Sequence, residues 1–110
     1  MQTKLVKEQG RGYSSSDPMD LIRFEMLEHL SSWVHQLQTH PYSGHSWQEF
    51  GWHIYQLRER FTEWAFFEHG RWIVEAVHLH DRGQVARIGE YLQLAFGREL
   101  AALKERSQRA

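Results

Sequence analysis

The chain reads as an all-α protein, a small antiparallel bundle of four helices, on three observations. Apolar residues recur at three- and four-residue steps over long stretches. Helix-capping and helix-breaking residues fall between those stretches. No run alternates apolar and polar residues at the two-residue period of a strand. At 110 residues a single domain is expected over residues 17–110. Residues 1–16, polar and carrying Gly10, Gly12 and the Ser14-Ser15-Ser16 run, are predicted to form a flexible N-terminal tail.

Asp17-Pro18 places an N-cap before a proline at the first helical position. From there Met19, Ile22, Met26, Leu30, Trp33 and Leu37, joined by Leu27 and Val34, form one apolar stripe on a helix over about residues 18–39. Leu21 and Phe24 fall off that stripe. His40-Pro41-Tyr42-Ser43-Gly44-His45 is a loop. Ser46-Trp47-Gln48-Glu49 has capping-box spacing and predicts the second helix start. Its core stripe is Trp47, Phe50, Ile54, Leu57, Phe61 and Trp64, and Gly70 is the place for it to end or bend. If the helix ran through Gly70 the bundle would have three helices.

The run Trp72 to Leu79 is apolar nearly all round and predicts a deeply covered helix. His80-Asp81-Arg82-Gly83 then connects to a last helix over about residues 84–107, with Val85, Ile88, Leu92, Ala95, Phe96 and Leu103 on its inner face. Gly51, Gly89 and Gly97 each cost about 1 kcal/mol against alanine inside a helix. Their presence predicts close approach of neighbouring elements or local bending of the helix.

Composition excludes several functions. There is no cysteine, so disulfides and thiolate metal sites are absent. A net charge of −1 differs from the basic excess of proteins that coat nucleic acid. No apolar run reaches membrane-spanning length and no signal-peptide pattern opens the chain, which predicts a cytoplasmic protein. Charge is graded: residues 17–49 carry five acids and one base, while residues 81–110 carry six bases and four acids. Packing of an acidic first helix beside a basic last one accounts for this.

All eight histidines and all five tryptophans lie between residues 29 and 80, and nine of the 26 residues from Trp47 to Trp72 are aromatic. Projected at 100° per residue, Trp52, Tyr55 and Phe66 fall nearly opposite the core stripe of the second helix. Two opposed apolar faces mean either a helix sandwiched by its neighbours or a face that meets another chain. Trp, Tyr and Arg are common interface anchors. Trp52, Tyr55 and Phe66, with Arg58 and Arg60 beside them, are therefore the predicted partner-binding residues.

The histidines raise two catalytic alternatives. Glu75-Ala76-Val77-His78 has the Glu-x-x-His spacing of di-iron carboxylate bundles. Such a site takes two of these motifs and two further glutamates, and only one motif is present. His78, His80 and Asp81 offer further imidazole and carboxylate ligands. Separately, Arg71 and His78, with six residues between them, and Arg23 and His29, with five between them, resemble the Arg-x(4–6)-His motif of HEPN-type ribonucleases. Trp72 follows the arginine where that family has a polar residue. The resemblance implies a small helical dimer in which Arg71 holds the scissile phosphate and His78 assists proton transfer or phosphate orientation.

The last helix, with Arg82, Arg87, Arg98, Lys104, Arg106 and Arg109, allows a third alternative, a helical subunit of a nucleoprotein complex. Glu90, Glu99 and Glu105 interrupt its basic surface as in a solvated helix face. The expectation from sequence is thus a non-catalytic binding or regulatory protein. It has no cofactor, acts through protein–protein association and pairs with itself as a homodimer; nucleic acid is the less favoured partner and a membrane is not one.

Overall fold

The computed structural model describes residues 13–109. Helix α1 spans Pro18–Thr39, α2 Gly44–Gln56, α3 Phe67–His78 and α4 Arg82–Arg109, with a 3-10 turn at Leu57–Glu59. The described residues contain no strand, and the architecture is the all-α bundle of four helices. Residues 1–12 of the expected flexible tail lie outside the described residues. Its last part packs: Tyr13 stacks on Phe24 at 4.1 Å, and the Ser107 hydroxyl donates to the Ser14 carbonyl at 2.6 Å.

Two antiparallel pairs make the bundle. In the first, α1 runs against α4, tied by Arg106 to Asp20 at 2.9 Å near one end and by Gln93 to Ser31 at 3.5 Å near the middle. Asp20 is 6% exposed. Burial pushes its carboxyl up, but hydrogen bonds from Arg106 and Arg23 outweigh this and hold it below the usual carboxylate range. Arg23 reaches on to Glu63 at 2.7 Å, so one cluster joins α1, the connection after α2 and the end of α4.

Asp17 caps α1, its carboxylate accepting from the Met19 amide at 3.0 Å, with Pro18 at the first helical position. The stripe expected on this helix is turned. Phe24, 2% exposed, is core, with Leu27, Leu30 and Val34, whereas Met19 and Ile22 are exposed. Met26, Trp33 and Leu37 lie at the margin, packed against the core from one side. The apolar surface of α1 is wider than the area its neighbours cover, and α4 claims the Phe24 side.

The second pair is α2 and α3. Helix α2 begins three residues earlier than the Ser46 box predicts: the Ser43 hydroxyl accepts from the Ser46 amide at 3.2 Å and is the cap. Gly51 and Gly70 bring the two backbones together, since a Cβ on Gly51 would stand 2.6 Å from the Gly70 carbonyl oxygen. Gly70 thus lies inside α3, where the sequence expectation was a helix end or bend.

Helix α2 stops at Gln56, with neither proline nor glycine at the break. Arg60 and Phe61 amides both close on the Leu57 carbonyl, at 3.0 and 2.9 Å. The irregular segment then turns Phe61, Trp64 and Phe66 into the core. Their rings form a ladder, Phe61 to Trp64 at 4.3 Å, Trp64 to Phe66 at 5.4 Å and Phe66 to Phe96 at 5.1 Å. Burying such a ring is worth about 1.5–3 kcal/mol, more than the helical hydrogen bonds given up at about 1 kcal/mol each.

In α3 the residues Ile73, Val74 and Ala76 are buried, but Trp72 and the following Leu79 are exposed, so this helix is covered on one side only. It ends with His80 in the left-handed region, φ 56°, and the Asp81 amide bonded to the Ala76 carbonyl at 2.9 Å. Asp81 then caps α4 by accepting from the Gln84 amide at 3.1 Å. All six predicted inner-face residues of α4 are buried. Gly89 meets the Trp47 indole, where a Cβ would be 2.7 Å away, whereas Gly97 has nothing within 4 Å. Close approach therefore explains Gly51 and Gly89 but not Gly97 within one chain.

Candidate interaction surface

The helix break divides the predicted trio. Trp52 is 42% exposed on the outer side of α2, and Tyr55, one turn on, is half-buried. Their rings meet edge-on at 6.0 Å. Arg58 lies over the Tyr55 ring with its guanidinium carbon 3.9 Å from the centroid, and it donates to the Tyr55 carbonyl at 3.2 Å. Cation–π contact and hydrogen bond together hold this arginine against the surface.

Phe66 does not belong here. It is 3% exposed and packs on Trp64 and Phe96. The projection that placed it beside Tyr55 assumed one helix over residues 47–69, and the chain leaves the helix at Leu57. Arg60 points its guanidinium toward Phe61, 5.8 Å from that ring, rather than toward Tyr55. The patch is therefore Trp52, Tyr55 and Arg58.

Helix α3 supplies the adjoining charge. Arg71 interacts electrostatically with Tyr55 and bridges Glu68 at 2.8 Å and Glu75 at 3.2 Å. The hydrogen bond that Arg71 donates to Glu68 is the main cause that raises the arginine pKa further. Both carboxylates occupy the fork that the ribonuclease reading would give to a phosphate. Glu75 likewise faces Arg71, and His78 is exposed on the same helix. Among the described residues no group of three or more His, Asp or Glu side chains could hold a metal ion.

Two further features escape the periodicity of the sequence. His69 stacks on Tyr91 at 4.3 Å and tilts against Trp72 at 4.6 Å, joining α3 to α4 beneath two exposed rings. The apolar run around Trp72 conceals that exposure, because composition reports hydrophobicity and not cover. The other is a groove of about 710 Å³ between the end of α1, the α1–α2 loop and the start of α4, floored by Leu37, Trp47 and Val85. Arg82 lies over Tyr42 at its mouth, 4.4 Å from the ring centroid, and Leu94 stands at its edge.

The two half-buried histidines are neutral-biased. Burial pushes His53 below the usual imidazole range and the nearby His29 adds to the shift. Its Nε2 is buried without a hydrogen-bond partner among the described residues. Burial also lowers His69, outweighing the Phe66 carbonyl and Glu68, which act in the other direction.

No family model matches the chain, and no curated protein or solved structure is significantly similar to it. No helix among the described residues is long and apolar enough to cross a membrane.

Proposed function

We propose that this chain is a non-catalytic binding protein that works through protein–protein association, self-association included. One observation carries the reading: Trp52 and Tyr55 stand on the outer side of α2 with Arg58 fixed across the Tyr55 ring. Nothing in the fold needs Trp52 exposed, and an ordered Trp–Tyr–Arg patch is the composition of an interface anchor. Low side-chain entropy favours it further, because Arg58 is already held by its bond to the Tyr55 carbonyl.

The catalytic alternative at Arg71, Glu75 and His78 has less support, since Arg71 is engaged by two carboxylates. A nucleoprotein role would use the same rings for stacking, but Glu59 beside Arg58 and Glu68 and Glu75 on Arg71 oppose a phosphate backbone.

The test is the double variant Trp52→Ser with Tyr55→Ser, expressed in the native host. Its far-UV circular dichroism is expected to match wild type, while the protein complexes that contain the wild-type chain lose it on size-exclusion chromatography. Persistence of the same complexes contradicts the reading.

A further inference from the structure

Gly97 is unexplained inside the chain: it sits in the middle of α4 with open space above it, at a cost of about 1 kcal/mol relative to alanine. The residues around it follow a pattern. Leu100 lies three residues after it and Leu94 three before. Lys104 lies seven after and Glu90 seven before. Steps of three and seven keep one helix face, so these side chains form a single seam, with Leu100 half-buried against the core at its edge. Leu94 is 64% exposed on it, and Gly97, Glu90 and Lys104 are exposed too. Among the described residues neither Glu90 nor Lys104 has an ion pair, and the Lys104 ammonium lies 5.9 Å from the Phe24 ring centroid.

We infer that α4 pairs antiparallel with α4 of a second copy, crossing at Gly97. Two-fold pairing about that residue sets each Glu90 against Lys104 of the other copy and each Leu94 against Leu100, with the two glycines letting the backbones close. An isologous interface requires such a pattern, in which every group finds its complement on an identical surface. The charges select the antiparallel register, because a parallel alignment would face Glu90 with Glu90 and Lys104 with Lys104. Space exists beside the seam. A depression of about 280 Å³ in the crease between α1 and α4 is lined by Glu28, Ser31, Ser32, His35, Gln93 and Leu100, and it leaves room beside the seam for side chains of the incoming helix. Helix α4 has 28 residues, about 42 Å of length over which to pair.

This assignment rests on the self-association in the reading above and places it away from Trp52, leaving the α2 face for another protein. Sedimentation velocity of the full chain over a concentration series tests it. Wild type is expected to dimerise. Gly97→Gln is expected to be monomeric with its helical circular dichroism intact, since glutamine favours a helix but blocks the crossing. Glu90→Lys and Lys104→Glu each bring like charges together twice, and each is expected to weaken the dimer about tenfold. Combined, they are expected to restore it, which a purely structural role would not do. A dimer indifferent to Gly97→Gln but lost in the Trp52 and Tyr55 double variant overturns the α4 seam and leaves self-association standing. So does failure of the combined charge reversal to restore the dimer. A wild-type chain that stays monomeric overturns the seam and self-association together, with the partner-binding role of Trp52 still separately testable.

Discussion

Gly51 and Gly70 touch backbone to backbone, so that a methyl group on Gly51 would lie 2.6 Å from the carbonyl oxygen of Gly70. This contact sets the spacing of α2 and α3, and with it the angle at which Trp52 and Tyr55 face outward. The obstacle is a backbone atom and cannot swing aside. Gly51→Ala is therefore expected to destabilise the fold by about 2 kcal/mol, more than the gain in helix propensity returns, with Gly51→Val worse. Urea denaturation checks this.

Phe66 and Trp52, grouped by sequence projection, should part in experiment. Phe66→Ala removes a ring held by Trp64 and Phe96 and is expected to cost about 3–5 kcal/mol. Trp52→Ser removes a ring that is 42% exposed and is expected to cost the monomer about 1 kcal/mol or less. Equal losses in thermal denaturation would contradict the division between core and surface.

The pH dependence follows from His53 and His69. Both are lowered by burial, His53 with His29 adding to the effect. Below about pH 6.5, the ordinary imidazole value, the unfolded chain binds more protons than the folded one. Stability is therefore expected to fall as the pH drops through that value, the loss being complete only below the folded pKa values. Asp20 and Glu63 respond later. Burial opposes both, but arginine hydrogen bonds, joined at Glu63 by its own backbone amide, hold them low. Their contribution is present above the carboxylate range and is lost only as the pH falls through the folded values. Urea midpoints at pH 7.5 and 5 are expected to differ, and His53→Gln to flatten the difference. An unchanged slope in that variant contradicts the assignment.

His80 holds a left-handed conformation, φ 56°, that glycine adopts without steric cost. Its backbone closes α3 and orients the capping residue Asp81. His80→Gly is expected to be neutral or to stabilise by up to about 1 kcal/mol, and His80→Val to destabilise. Thermal midpoints of the two variants check the sign.

The inner face of α4 was legible because its apolar residues keep one period and only one side is covered. So was the Asp17-Pro18 start of α1. On α1 itself a wide apolar surface admits two stripes, and only the position of α4 decides that Phe24 goes inward while Met19 and Ile22 do not. The break at Leu57 had no local marker; long-range burial of Phe61, Trp64 and Phe66 overrides helical propensity. That break removed Phe66 from the candidate surface and kept Trp52, Tyr55 and Arg58. Trp72 and Tyr91 were missed because their exposure depends on which side of α3 and α4 lacks a neighbour.

Native mass spectrometry of the full chain purified from its own host tests the central claim most directly. The account predicts assemblies whose extra mass is protein, with no stoichiometric metal ion or nucleic acid, and loss of those that contain another protein in the Trp52 and Tyr55 double variant. A monomer carrying a bound metal ion or RNA, unchanged by that variant, would contradict it.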